Sequence, residues 1–252
     1  METLRGRSGM SDNLLNYYKD KRVFVTGHTG FKGSWLCSIL LMAGAKVYGY
    51  ALEPDSDPSL FNMLGLDKRM ISILADIRDF DRLLKAINEA KPEIVFHLAA
   101  QPLVRLSYEE PVETFSTNIM GTIHLLEALR NCEGVKACVV VTTDKVYENN
   151  GQMRGYAEED RLGGRDPYSV SKACSEFVTK CYNKSYFENE RSAAVATARA
   201  GNVIGGGDYA KDRIIPDCIR AARRNETIIV RNPYSVRPDR KSTRLNSSHG
   251  II

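Results

Sequence analysis

The sequence predicts an α/β chain built on a doubly wound parallel sheet, and three observations carry that prediction. Short apolar runs alternate with amphipathic stretches along the chain. Two of the runs, Ile94 to Ala100 and Ala137 to Val141, are nearly continuous in apolar residues, as strands buried on both faces are. The segments between runs are long enough to cross from one parallel strand to the next. At 252 residues the chain has room for one sizeable core, or for one domain and part of a second. Apolar content of 43% and charged content of 26% are those of an ordinary globular protein. The net charge of +4 is dispersed apart from a basic tail and gives no argument for nucleic acid. Six cysteines form no C-x-x-C pair, and several fall within apolar patterns, which predicts reduced, mostly buried thiols and a cytoplasmic setting. The N-terminal M-E-T-L-R-G-R-S-G-M lacks the core of a signal peptide, no run approaches membrane-spanning length, and no residue cluster is read as a metal site.

The first strand and the turn after it organise the rest. Val23-Phe24-Val25-Thr26 leads into Gly27, Gly30 and Gly33, and Trp35, Leu36, Ile39 and Leu40 follow at helical spacing. Glycines at those points allow a sharp turn, close approach to a pyrophosphate and tight packing of helix on strand, while the helix N-terminus faces the anion. This is a Rossmann-type turn, spaced G-x-x-G-x-x-G, and the expected ligand is a dinucleotide. The same glycines also serve a purely structural turn.

Residues 1 to 20 read as an N-terminal extension, with a short helix around Leu14, Leu15, Tyr17 and Tyr18, and Met10 as a candidate start. The first helix runs to about Ala43, where Gly44 stops it. A second strand, Lys46 to Leu52, ends at Glu53, the only acid placed to bind adenosine ribose hydroxyls, which favours NAD over NADP. Pro54 to Asp67 reads as a loop-rich insertion. A third strand, Met70 to Ala75, ends at Asp76, which either accepts from an adenine amino group or caps the helix Phe80 to Ala90. His97 reads as a core histidine. Val112 to Arg130 reads as one long helix with Asn118 near its middle. The strand Ala137 to Val141 then leads to Thr142-Thr143-Asp144-Lys145, and ligands of such sheets bind beyond the carboxyl ends of the strands.

Asp166-Pro167 is a helix start, and Tyr168 and Lys172 lie one helical turn apart on one face. A neighbouring cation lowers a phenol from its usual value near ~10, which would fit Tyr168 as a base. Chance Y-x-x-x-K pairs on exposed helix faces are common, and its place after the glycine turn is what raises this one.

The stretches T-G-H-T-G-F-K-G-S-W, F-H-L-A-A-Q-P-L-V, T-T-D-K-V-Y-E-N, Y-S-V-S-K-A-C and A-R-A-G-N-V-I-G-G-G-D resemble the extended short-chain dehydrogenase/reductase family, in its nucleotide-sugar epimerase/dehydratase branch. The similarity runs from about Leu14 to Pro238. It implies NAD as cofactor, a CDP-hexose as substrate, a homo-oligomer at full length, and a 4,6-dehydration: C4 oxidation, loss of water across C5 and C6, and return of hydride to C6. It implies Tyr168, assisted by Thr143, as the base at the 4-hydroxyl, with Lys172 beside it, Asp144 as the acid for the leaving hydroxyl, and Lys145, depressed by burial and by Lys172, as the base at C5. Cofactor contacts would come from Gly27, His28, Gly30, Phe31, Lys32, Gly33, Asp76, Ile77, Leu98, Ala99, Ala100, Asn118, Tyr168 and Lys172. Gln101, Asn202, Arg213 and Arg237 would face the nucleotide-sugar. The layout implied is a cofactor domain over residues 21–200 and the start of a sugar-nucleotide subdomain over 201–238.

After Val236-Arg237-Pro238 the family continues with W-Q-H-V, whereas here D-R-K-S-T-R-L-N-S-S-H-G-I-I is polar, basic and without periodicity. Residues 239–252 therefore read as a non-native tail on an incomplete C-terminal substrate-binding subdomain, and the expected activity of this chain is weak or absent. A nucleotide-sugar epimerase or reductase, and a non-catalytic NAD-binding module, are the other readings.

Overall fold

The computed structural model describes residues 16–152, 154–188, 193–230, 234 and 239–241. Six strands form one parallel sheet in the order β3-β2-β1-β4-β5-β6, with β1 (Arg22–Thr26), β2 (Lys46–Ala51), β3 (Ile71–Leu74), β4 (Ile94–His97), β5 (Ala137–Thr143) and β6 (Ala194–Ala200). The winding direction reverses between β1 and β4, the arrangement of a Rossmann sheet, as the sequence predicts. The principal helices packed on it are α1 (Phe31–Met42), α2 (Leu60–Met63), α3 (Phe80–Ala90), α4 (Val104–Glu109), α5 (Pro111–Phe115), α6 (Gly121–Arg130) and α7 (Pro167–Tyr182), and α8 (Ile214–Arg223) follows the sheet.

Strand β1 explains why both faces are covered. Successive strand side chains point to opposite sides, so an unbroken apolar run feeds two cores at once. Phe24 packs with Tyr50, Val95 and Val140 against Leu83 and Ile87 of α3 and Leu125 of α6. Val23 and Val25 pack on the other side with Val47 and Ile94 against Cys37 and Leu40 of α1. Each such side chain, fully buried, contributes about 1.5–3 kcal/mol.

Helix starts follow the caps in the sequence. The Asp166 carboxylate accepts from the Ser169 amide at 2.8 Å, with Pro167 in the first turn of α7. Helix α3 is capped by Asp79, which accepts from the Arg82 amide at 3.1 Å, so Asp76 is not its cap.

Several expectations are corrected. The helix expected over Val112 to Arg130 is divided: α5 passes through a π-helical turn, Ser116–Met120, into α6. The Asn118 side chain, drawn inward, donates to Ser171 Oγ at 2.8 Å and accepts from the Gln101 amide at 2.8 Å, and a π turn absorbs the extra residue that this orientation needs. The Pro54 to Asp67 loop contains α2, capped by the Ser59 hydroxyl, and a 3-10 turn at Leu66–Lys68. Only Cys37 and Cys138 among the six free cysteines are buried; Cys181 is exposed. A short parallel pair, β7 (Asn202–Ile204) with β8 (Asp239–Lys241), brings the first residues of the aperiodic tail into strand structure. Leu14, Leu15, Arg237 and residues 242–252 lie outside the described residues. Among the described residues no helix is long and apolar enough to cross a membrane.

The turn after β1 tolerates nothing larger than glycine at two points. Gly27 has φ +74°, and a Cβ there would stand 2.6 Å from the Ala99 nitrogen; one on Gly33 would stand 2.0 Å from the Gly27 carbonyl oxygen. Gly33→Ala is expected to destabilise the chain by about 1–3 kcal/mol, the usual cost of overpacking, read as a lower urea midpoint. Gly206→Ala, whose Cβ meets open space, is the control expected to leave that midpoint unchanged.

Candidate active site

A cleft of about 240 Å³ opens at the carboxyl ends of β1, β2 and β4, where the winding reverses. Gly27, Gly30, Phe31, Lys32 and Gly33 form its floor, and Leu98, Ala99 and Ala100 one wall. Gly30, at the N-cap of α1, supplies no side-chain cap, which leaves the first amides of the helix available to an anion. Asp76 and Ile77 line the outer end together with Glu53. Arg78 fixes the Asp76 carboxylate, donating from its amide at 2.8 Å and from Nε at 2.9 Å, and these bonds hold the carboxyl below its usual range despite partial burial. Arg78 also reaches Glu113 at 2.6 Å. From the opposite side come Arg213 and Asp208, paired at 2.9 Å. The segment carrying them is tied to the sheet by Trp35 Nε1, which donates to the Gly206 carbonyl at 3.0 Å.

Beside the cleft, β5 ends in the turn that carries Thr143, Asp144 and Lys145, and the first turns of α7 bring up Tyr168 and Lys172. Thr143 Oγ1 donates to Asp144 Oδ1 at 3.1 Å and is hydrogen-bonded with the buried Tyr168 hydroxyl. Lys145 Nζ stands 3.9 Å from Asp144 Oδ1 and donates to Asn202 Oδ1 at 3.2 Å. Lys172, 3% exposed, donates to the Val141 carbonyl at 3.1 Å. Burial, and then the Lys32 cation, push Lys172 down to about 7, against the pull of Glu176. Lys32 is open to solvent within a protein-walled concavity, and desolvation followed by Arg213 and Lys145 lowers it. Lysines 32, 145 and 172 with Arg213 thus bring four cations together, of which Lys145 and Arg213 are paired with Asp144 and Asp208.

Four sequence expectations need correction. Tyr168 is not lowered: burial outweighs the Thr143 hydrogen bond and pushes the phenol up to about 12, while Lys172 spends its hydrogen bond on Val141. His28 does not line the cleft: its ring lies in the core, with Nε2 2.7 Å from Ser72 Oγ and its edge against Phe61, and burial pushes it down to about 4. Asn118 and Gln101 do not face the cleft but lock each other: Asn118 is bonded to Gln101 and Ser171, and Gln101 Nε2 donates to Leu103 O and Thr114 Oγ1. Lys145 is 29% exposed and ion-paired rather than enclosed. His97 is a core residue, as expected, fully buried between Thr26 Oγ1 at 2.7 Å and Thr122 Oγ1 at 3.3 Å. Sequence reasoning missed Asp208, Arg78, Glu176 and Arg199; Asp208 closes the glycine run Gly205-Gly206-Gly207, a signal that was available, whereas Glu176 and Arg199 look like ordinary surface charges until folded.

Comparison with known proteins agrees with this geometry. The family profile described as GDP-mannose 4,6 dehydratase matches residues 24–229. The chain is 54% identical over 227 residues to the CDP-glucose 4,6-dehydratase of Salmonella typhimurium, covering 88% of this chain and 63% of that protein. It is 29% identical to the dTDP-D-glucose 4,6-dehydratase of Dictyostelium discoideum, covering 82% of this chain and 49% of that one. The chain therefore spans between about half and two thirds of the length of these relatives. Among solved structures, UDP-glucose 4-epimerase of Thermotoga maritima with UDP-glucose superposes with a TM-score of 0.77 at 25% identity, over 87% of this chain and 69% of that one. The DesIV double mutant, a dTDP-glucose 4,6-dehydratase of Streptomyces venezuelae with NAD bound, gives 0.76 at 25% identity, over 87% and 68%. A parallel sheet with its cleft at the switch point and a family match running over most of its length lead to one assignment: the chain belongs to the GDP-mannose 4,6-dehydratase family.

Proposed function

We propose that this chain carries the cofactor cleft and reacting residues of an NAD-dependent CDP-glucose 4,6-dehydratase, which converts CDP-glucose to CDP-4-keto-6-deoxy-glucose. The observation that carries the reading is the convergence of the Thr143-Asp144-Lys145 turn with Tyr168 and Lys172 beside the glycine-floored cleft. The 54% identity to a CDP-glucose enzyme supports the choice of nucleotide. The chain fits a dinucleotide: a Cβ at Gly27 or Gly33 would collide with backbone, and the uncapped start of α1 offers amides to a pyrophosphate. When bound, NAD accepts hydride from the sugar C4 and returns it at C6.

The chain's own residues move the protons. Tyr168, bonded with Thr143, is the base for the 4-hydroxyl in this reading, and because a neutral phenol accepts no proton the role requires that the bound ligands lower it from about 12. Oxidation at C4 acidifies the C5 hydrogen; in this reading the Lys145 ammonium first passes a proton to the Asp144 carboxylate 3.9 Å away, so that the free amine takes the C5 proton and the Asp144 acid protonates the departing C6 hydroxyl. Asn202 and Arg213 would face the nucleotide-sugar diphosphate, and Lys32, which lines the cleft, would touch phosphate. Arg237, outside the described residues, belongs with them in this reading. Residues 201–238 begin the sugar-nucleotide part in this reading, and the enzyme is a cytoplasmic homo-oligomer with no nucleic acid or membrane partner. An epimerase would share the cleft, so the decisive readout is loss of one water by mass from CDP-glucose.

Tyr168→Phe is expected to slow that turnover by about 10²–10⁴-fold while leaving NAD affinity unchanged; equal turnover in the variant overturns the assignment. The Lys172 pKa makes a separate prediction. The unfolded chain binds this proton up to the ordinary lysine value of 10.5, whereas the folded chain releases it at about 7. The unfolded state binds more protons in that window, so the contribution to stability rises with pH between the two values and is lost as pH falls to 7. Urea unfolding should show wild type gaining on Lys172→Met by a few kcal/mol from pH 7 to pH 10.

A further inference from the structure

Glu176 stands on α7 one turn past Lys172 and two past Tyr168, on the same face of the helix. It is 6% exposed, yet its carboxylate is fully occupied. Thr142 Oγ1 donates to it at 2.5 Å, Thr197 Oγ1 at 2.7 Å, and Arg199 Nε and Nη2 at 3.0 and 3.1 Å. Burial pushes this carboxyl up, but the donors, Arg199 foremost, hold it below its usual range. One carboxylate therefore joins α7, β6 and the residue immediately before Thr143.

Arg199 carries the linkage further. Its guanidinium lies over the Tyr147 ring, 4.9 Å from the centroid, and its Nη1 donates to the Glu158 carbonyl at 3.1 Å. Tyr147 stacks on Tyr156 at 5.0 Å and pairs with Leu162 as an isolated bridge. Backbone bonds from the Glu148 amide to Arg161 O and from the Gly163 amide to Val146 O close the same strap. The strap begins two residues after Lys145. We propose that Arg199, seated on Glu176, is a positioning residue that fastens the 147–163 strap to α7 and so fixes the Thr143-Asp144-Lys145 turn against Tyr168 and Lys172. Arginine suits the task because one planar group gives a fork to the carboxylate and a face to the ring, which a lysine cannot do together. The catalytic consequence rests on the dehydratase reading; the mechanical linkage does not.

The test uses the 252-residue chain and the variants Arg199→Met, Arg199→Lys and Tyr147→Leu, the last of which leaves the buried ion pair in place. Amide exchange is read at Lys145, Glu148 and Gly163. Arg199→Met and Tyr147→Leu are expected to speed exchange there by about tenfold or more, with the β1 amides unchanged. Reduction of bound NAD by CDP-glucose in a single turnover is expected to slow by about 100-fold in Arg199→Met at unchanged NAD affinity, with partial recovery in Arg199→Lys. Wild-type exchange in both Arg199→Met and Tyr147→Leu overturns the proposal, and so does loss of protection throughout the sheet in Tyr147→Leu. If the wild-type chain forms no NADH, that is the weak or absent activity expected of a chain that spans 63% of its dehydratase relative, and exchange at the three amides alone decides on Arg199.

Discussion

Where β1 and β4 part, their ladder ends with the Leu98 amide on the Thr26 carbonyl at 3.1 Å, and the Thr26 hydroxyl takes up the next amide, that of Ala99. Its oxygen accepts from the Leu98 and Ala99 amides, both at 3.2 Å, and stands 2.7 Å from His97 Nδ1. With two amides already donating to it, the hydroxyl proton points at Nδ1, which places the ring proton on Nε2, facing Thr122. A buried donor or acceptor left unpaired costs about 1–3 kcal/mol, so this hydroxyl is what allows the strands to diverge. The opening it permits is the cleft, and burial holds His97 neutral at about 3, far below its usual value.

The same polar seam continues into the helices. Thr122 donates to the Asn118 carbonyl, Ser175 does so as well, and Asn118 reaches Ser171, whose hydroxyl donates back to the Tyr168 carbonyl. Small hydroxyl residues along one side of α7 thus tie it to the π turn, while Tyr168, Lys172 and Glu176 occupy an adjacent stripe. Hydrogen bonds enforce distance and direction where apolar contacts enforce only proximity. Tyr168, Lys172 and Glu176 inherit their placement from a helix fixed in rotation as well as in position.

Burial shapes the electrostatics more than neighbouring charge does. Tyr168 moves up, Lys172 moves down, and in both desolvation is the first cause. An argument from helical spacing puts a cation beside a phenol and expects attraction between their charged forms. The packed site instead makes both charged forms costly, so each group is closer to neutral than its spacing implies. Glu176 escapes this because its hydrogen-bond donors, including the Arg199 cation, outweigh the desolvation.

Strand and helix periodicity in the chain determined the doubly wound sheet, the glycine turn, the helix start at Asp166 and the place of the cleft, because these follow from contacts between near neighbours and from apolar patterns that one residue of slip would destroy. The motifs T-T-D-K and Y-S-V-S-K located the residues proposed to react for the same reason: each is a local unit at a strand end or a helix start. Only the tertiary structure decided that His28, Asn118 and Gln101 turn away from the cleft, that α5 and α6 are joined by a π turn, and that Glu176 and Arg199 join three elements. Those outcomes depend on which distant polar group finds which partner and on how much water is excluded when it does, and neither is encoded in spacing along the chain.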